Sequence, residues 1–414
     1  MIEALVLARW VHFAASLLAA GTVCFMVVVA QPAAAAVGAD LGSLYRRWFL
    51  MVWSALAVAI ISGAVWLVLV ASDILGASIL DVCLGGGALS VLTETRFGTL
   101  WTARLGLALL LAVLLLWPRA SLLHLAAAAG LVVLLAWIGH AGATLGPAGT
   151  VHLASDIGHL MAAAAWLGGL PAFALLLAWT RKTSVPEGFA ARATARFSRL
   201  GMLSVAVLLA SGIVNSWLLL SGPRDLWATD YGRLVSLKVL LFVAMVGIAA
   251  VNRFHLSPRL PAASALRSLQ RNSWAETGLG LVILLLVGAL GTMAPSKHIH
   301  PVTQVPPDAA YVHIHTSAAM ADVTINPGKA GQTDVTIRIS QEDFTELSVQ
   351  SVRLVLDAPA NGPSIDREAT RAADGTWQIA GFSVGEPGVW TARVIVTTRS
   401  GRPIVLDAPV LIEP

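Results

Sequence analysis

Eight stretches of this chain are apolar for long enough to cross a lipid bilayer as helix, and no other feature limits the possible folds as much. They run roughly over 5–30, 48–71, 99–117, 121–139, 153–179, 200–220, 234–251 and 275–293. A helix rises about 1.5 Å per residue, so about 20 residues cover the ~30 Å hydrocarbon layer. Inside lipid each backbone N–H and C=O must find its partner within the segment, which makes helix the expected form of every run. Composition agrees. Hydrophobic residues make up 57% of the chain and charged residues 12%, against roughly 25% charge in a water-soluble domain. The net charge of +4 sits in short loops between the runs, so the expected surroundings are a lipid bilayer and no nucleic acid.

The loops alternate in charge. The first holds Arg46 and Arg47, the fifth Arg181, Lys182, Arg192, Arg196 and Arg199, and the seventh Arg253, Arg259, Arg267 and Arg271. The third is a turn at Pro118-Arg119. The second is dominated by Asp73, Asp81 and Glu94, the fourth has no Lys or Arg, and the sixth balances Arg224 and Arg233 with Asp225 and Asp230. The positive-inside bias therefore puts the odd loops in the cytoplasm and both termini outside. The first run is too long for the apolar core of a signal peptide and carries Glu3 and Arg9 at its start, so it is expected to remain as a span. Cys24 lies deep in that run and Cys83 in a loop, so no disulfide is expected.

The spans read as two sets of four. Span 1 has Arg9 and His12, with Gly21 nine residues after the histidine; span 5 has Asp156 and His159, with Gly168 at the same distance. Ser62-Gly63 in span 2 matches Ser211-Gly212 in span 6. Thr95-Arg-Phe-Gly98 opens span 3 with Arg104 six residues beyond the glycine, and Thr229-Asp-Tyr-Gly232 opens span 7 with Lys238 in that place. Four spans precede the second copy, so both sets share one orientation and form parallel repeats. The chain divides into a first four-helix repeat (1–143), a second (144–295), a polar linker (296–310) and a C-terminal domain (311–414). That last region shows about seven short β-rich runs punctuated by Gly, Pro, Asn and Asp, such as Asn326-Pro327-Gly328 and Asp374-Gly375, as in an antiparallel immunoglobulin-like sandwich. The expected fold is an all-α polytopic membrane bundle of eight helices followed by an all-β sandwich.

Histidine carries most of the chemical information, because ionisable side chains inside lipid are costly and usually functional. His12 and His159 occupy equivalent repeat positions, and a pseudo-twofold axis would bring them face to face. His152 lies seven residues before His159 on the same helix face, about 10 Å away along the axis. His140 closes span 4 on the same side. Together they suggest an imidazole path entering from outside. Neutral imidazole suits copper, zinc, iron or nickel, and the sulfur of Met161 favours copper. The competing role for a buried histidine is a plain interhelical hydrogen bond. Two His-x-His pairs flank the linker, His298-Ile-His300 and His313-Ile-His315. Residues i and i+2 of a strand face one side, so His313 and His315 are placed to chelate one ion. His298 and His300 lie just outside the membrane. His124 and His255 read as ordinary polar residues. Arg104 and Lys238 lie about a turn inside spans 3 and 7, where they can snorkel outward or hold an anion. Asn215 and Ser211 are expected to bond between helices. No P-loop, nucleotide-binding glycine motif or nucleophile triad is present, so no enzyme is expected.

The ordered set Gly158-His159-Leu-Met-Ala-Ala-Ala-Ala-Trp166-Leu-Gly168-Gly169, Arg196-Phe197-Ser198, Ala210-Ser211-Gly212, Thr229-Asp230-Tyr231-Gly232-Arg233-Leu234 with Lys238, Asn252-Arg253 and Glu276 resembles the copper-resistance protein D family (CopD) over about 150–294. The C-terminal part is similar to the YtkA-like extracytoplasmic domain of some members. The resemblance implies a bacterial inner-membrane protein that handles copper, moving it from periplasm towards cytoplasm, with His159 and Trp166 carried over from the family's motif. Some members carry a CopC-type copper-binding domain ahead of the membrane region. This chain has none, so a separate periplasmic CopC-like partner is expected. Two other readings stay open: a haem b electron carrier or oxidoreductase with two helix histidines as axial ligands, and a copper sensor or assembly factor in which the helices only anchor the sandwich. Oligomeric state is not legible.

Overall fold

The computed structural model describes residues 2–75, 77–117, 121–139, 146–295, 305–316, 319–341, 347–358, 362–398 and 403–413. The chain falls into two units, Met1–Ile299 and His300–Pro414. In the first, eight helices among the described residues are long and apolar enough to span a membrane: span 1 (Ile2–Ala35), span 2 (Gly42–Asp73), span 3 (Phe97–Leu114), span 4 (Ser121–Ile138), span 5 (Ala148–Thr180), span 6 (Phe189–Leu219), span 7 (Asp230–Arg259) and span 8 (Ala263–Leu290).

Spans 1 and 5 form the centre of the bundle. They cross at Gly21 and Gly168, and the contact is reciprocal. A Cβ on Gly21 would strike the Ala164 carbonyl and the Gly168 backbone, and one on Gly168 would strike the Leu17 carbonyl. Leu17 and Ala164 each precede their own glycine by four residues, so the crossing has local twofold symmetry. Only glycine allows backbones this close. Span 6 packs on span 5, span 2 on span 1, and spans 7 and 8 on each other.

The repeat extends to helix starts. Thr95 and Thr229 are N-caps with the same backbone angles, φ −112 and ψ 152. Each Oγ accepts from the N–H three residues on, Gly98 and Gly232, at 3.0 Å, satisfying a donor the helix leaves orphaned. Each threonine also donates back, to Val91 O at 2.6 Å and to Asp225 O at 3.0 Å. This ties spans 3 and 7 to the short helices that precede them. Those helices, Ile79–Leu84, Gly87–Glu94 and Asp225–Ala228, were not anticipated. They are too short to show a periodic apolar face.

Spans 1 and 7 each contain a π-helical turn, at Phe25–Ala30 and Asn252–Leu256. Each lies just before a proline, Pro32 and Pro258, which lacks the N–H that would continue the α ladder. In span 1 the carbonyl of Val28 accepts a bond from Arg196 Nε at 3.2 Å.

The second unit is an antiparallel β sandwich. Its strands are β1 (Ala310–His315), β2 (Met320–Asn326), β3 (Gly331–Ser340), β4 (Val349–Asp357), β5 (Ile365–Arg371), β6 (Trp377–Val384), β7 (Gly388–Thr398) and β8 (Pro403–Ile412), in the order β1-β2-β3-β6-β5-β4-β7-β8. Alternate residues such as Val323, Ile337, Leu354, Val394 and Leu406 point into one core around Trp390. The strand absent from the sequence reading is β5, IDREATR, which buries only Ala369. It lacks an alternating apolar pattern and is held by ladder bonds to β4 and, at its end, to β6.

Replacing Gly21 or Gly168 by alanine is expected to lower the thermal unfolding midpoint of the detergent-purified protein, since an overpacked core costs about 1–3 kcal/mol or more. Gly247→Ala, where the added methyl meets open space, should leave the midpoint unchanged or raise it.

Candidate functional site: paired histidine pockets

Both repeats place a span histidine against the serine of the neighbouring span. His12 Nδ1 lies 3.3 Å from Ser62 Oγ, and His159 Nδ1 lies 2.9 Å from Ser211 Oγ. The surroundings then diverge.

In the first repeat, His12 is 3% exposed. Its Nδ1 lies 2.9 Å from the Ala59 carbonyl, which can only accept, so the ring proton sits on Nδ1. Nε2 accordingly accepts from Arg104 Nη2 at 2.7 Å. Arg104 also donates to the Leu131 carbonyl and, at 3.3 Å, to Ser16 Oγ. It does not snorkel as the sequence suggested. It is 3% exposed, because three acceptors hold it inside. Trp66 and Trp101 close the pocket, with ring centroids 5.6 and 4.9 Å from the His12 ring. Arg9 turns towards span 8, stacking over Trp66 at 4.9 Å and donating to the Gly291 carbonyl at 2.9 Å.

In the second repeat, the Ser211 hydroxyl donates to the Val207 carbonyl at 2.6 Å. Its oxygen is therefore an acceptor for His159 Nδ1–H. That fixes the tautomer whose lone pair lies on Nε2, the form that ligates metals. No hydrogen bond to His159 Nε2 is found among the described residues. The positions matching Trp66 and Trp101 are Asn215 and Val235, so the aromatic plugs are gone. Asn215 Nδ2 donates to Asp156 Oδ1 at 3.3 Å, while Asn215 Oδ1 is buried without a partner. Asp156 stands where the first repeat has Arg9, and Lys238 where it has Arg104. Lys238 is within electrostatic reach of both Asp156 and His159. The change from a sealed cationic pocket to a polar one is visible in the sequence once the repeats are aligned.

His12 and His159 are each engaged inside their own four-helix set. His152 is buried on span 5. His124 is buried and bonded through Nε2 to the Leu114 carbonyl at 2.8 Å. In the sandwich, His313 Nδ1 lies 2.7 Å from Asp322 Oδ1, which also accepts from the Tyr311 hydroxyl at 2.5 Å. Partial burial and this carboxylate keep the Tyr311 phenol protonated above its usual range. His313 and Asp322 are directly opposed across β1 and β2. His140, His298, His300 and the side chain of His315 lie outside the described residues. Among the described residues no cluster of three or more His, Cys, Asp or Glu side chains forms a ready metal cage. Cys24 and Cys83 are both free.

The fold and site thus define a multi-pass membrane protein built from two parallel four-helix repeats, each with a histidine–serine pair. Comparison with known proteins gives this class a name. Residues 1–150 match the family described as copper resistance protein D-like, N-terminal domain, and residues 191–290 match the family copper resistance protein D. Copper resistance protein D of Pseudomonas syringae pv. tomato is 36% identical over 220 residues, covering 50% of this chain and 71% of the relative. Inner membrane protein YebZ of Escherichia coli K12 is 35% identical over 212 residues, covering 49% and 70%. Copper transport protein CutJ of Bacillus subtilis 168 is 26% identical over 275 residues, covering 64% and 47%. No solved structure matches. The chain belongs to the copper resistance protein D family.

Arg104→Met is expected to destabilise the protein markedly, because it strips His12 Nε2, Ser16 Oγ and the Leu131 carbonyl of their donor, and each orphaned buried group costs about 1–3 kcal/mol. Thermal unfolding should show a larger fall than for Asn215→Leu, which removes one long hydrogen bond.

Proposed function

We propose that the protein carries copper across the bacterial inner membrane, from the periplasm towards the cytoplasm, and that the second repeat holds the metal-handling site. The observation that carries this reading is the contrast between the two histidines. A ligand must offer a lone pair. That of His12 is used by Arg104. The lone pair of His159 meets no donor among the described residues, and its pocket also holds Asn215 Oδ1, the Asp156 carboxylate and Lys238. Imidazole nitrogen flanked by oxygen acceptors suits a divalent transition metal. Family membership and the names of the relatives, copper resistance protein D, inner membrane protein YebZ and copper transport protein CutJ, support copper as cargo and the inner membrane as location.

In this reading the basic odd loops face the cytoplasm and both termini face the periplasm. His140, His152, His298, His300, His313 and His315 serve as collecting residues on the outer side, with a CopC-like periplasmic protein as donor. The chain acts as a carrier with no catalysed reaction of its own. His12 serves instead as a structural acceptor for Arg104. The same geometry disfavours the haem alternative, since bis-histidine ligation would need the His12 Nε2 that Arg104 holds.

The test is copper content and absorption spectrum of detergent-purified protein, beside His159→Ala and His12→Ala. Copper in the wild type, a loss of at least about tenfold in affinity for His159→Ala and retention in folded His12→Ala are the expected results. Equal copper in wild type and His159→Ala would overturn the assignment. A Soret band lost in His159→Ala would move the site to haem.

A further inference from the structure

Spans 5, 6 and 7 carry a second layer of side chains on the face that builds the His159 pocket. Seven residues on from His159 stands Trp166, and seven on from Lys238 stands Met245; Ser204 precedes Ser211 by the same distance. Seven residues are nearly two full turns, so the members of each pair share a helix face about 10 Å apart along the axis. This second layer is closed. Trp166 is 4% exposed, Ser204 3% and Met245 2%. The Trp166 indole bridges three helices. It starts on span 5, lies against Gly201 of span 6, 3.6 Å from where a Cβ would stand, and meets Phe242 of span 7 edge-on with ring centroids 6.2 Å apart.

Beyond that layer the repeat opens again, into a cavity of about 320 Å³ at the end that carries the basic loops. Trp166 is the outermost residue of span 5 to line it. In the first repeat the matching positions are filled. Where Thr194, Ser198 and Ala249 line the cavity, that repeat has Tyr45, Phe49 and Leu115. The rings of Tyr45 and Phe49 stack with centroids 6.1 Å apart. Trp166 itself matches Ala19, and Met245 matches Leu111. The second repeat has thus lost bulk at both ends and gained it in the layer between them.

Two groups along this line suit a cation. Beyond the first turn of the helix Asp230–Val251, Met245 is the one buried residue. Its thioether is a soft donor that ligates copper and is a poor partner for hard cations such as magnesium. Glu276 is the one acidic residue among those lining the cavity. Its Oε1 accepts from Asn252 Nδ2 at 2.7 Å, and its Oε2 accepts no hydrogen bond among the described residues. The basic residue of the lining, Arg253, donates to Ser198 Oγ at 2.7 Å and stacks over Phe254.

We propose that the second repeat holds the whole path for copper: the His159 pocket outside, the cavity with Glu276 inside, and between them a barrier formed by Trp166, across which the Met245 sulfur passes the ion. This rests on the copper reading of His159 and extends it to a route and a further ligand. The competing role for Met245 is to fill space in the core, which Leu111 does in the first repeat.

The test uses full-length protein in proteoliposomes loaded with a copper-sensing chelator. Copper binding and the thermal unfolding midpoint are measured on the same variants in detergent. Met245→Leu conserves volume and brings in the first repeat's own residue. It should unfold close to the wild-type temperature and keep copper at His159, yet take copper up about tenfold or more slowly. Ala249→Phe, which fills the cavity, should slow uptake in the same way. Trp166→Ala, which joins pocket and cavity, should let nickel pass as well as copper. If it fails to fold, the other two variants still decide. Wild-type uptake by Met245→Leu and Ala249→Phe, with copper still lost from His159→Ala, would overturn the path and leave the His159 site standing. Copper retained in His159→Ala would overturn both.

Discussion

The close crossing of spans 1 and 5 at Gly21 and Gly168 is the constraint on which the rest of the bundle depends. Hydrophobic driving force between helices is absent in lipid, so packing must come from shape and from interhelical hydrogen bonds. Two glycines let the central helices approach backbone to backbone. Each helix then carries its own set of partners outward: spans 2 to 4 around span 1, spans 6 to 8 around span 5. The histidines are positioned by this crossing, since each stands nine residues before its glycine and leans onto the serine of the next span.

A repeat lets one copy specialise while the other keeps the scaffold. In the first copy the histidine, an arginine and two tryptophans fill the pocket, and both ring nitrogens of the histidine are hydrogen-bonded. In the second, Asn215 and Val235 replace the tryptophans and Asp156 and Lys238 replace the arginines. The same backbone then presents a histidine whose Nε2 meets no donor among the described residues. The second pocket differs by the loss of aromatic bulk and the exchange of two arginines for an acid and a lysine, and the proposed function rests on that difference.

Much of this was legible in the sequence. Eight spans and the change to β structure in the C-terminal region follow from the length and period of apolar runs, and the parallel repeat from the matched His, Ser-Gly and Thr-x-aromatic-Gly positions. The Thr-x-aromatic-Gly starts of spans 3 and 7 marked the repeat, and in the structure they are matching helix caps. The failures have physical causes. Strand β5 escaped notice because one of its seven side chains is buried, so no alternation records it. Arg104 read as a residue that would reach for water, because its acceptors, Leu131 O and His12 Nε2, come from distant parts of the chain. The short helices before spans 3 and 7 left no periodic trace.

The sequence by itself determined which segments enter the membrane, since that depends on local hydropathy and on backbone groups that must bond within their own helix. It determined the repeat and the candidate histidines as well. Only the tertiary structure decided which histidine nitrogens are hydrogen-bonded, which arginine is buried, how the eight strands are ordered and where spans 6 and 7 leave a cavity. Those outcomes depend on partners far apart in the chain, and a hydrogen bond between spans leaves no period in the sequence from which it could be read.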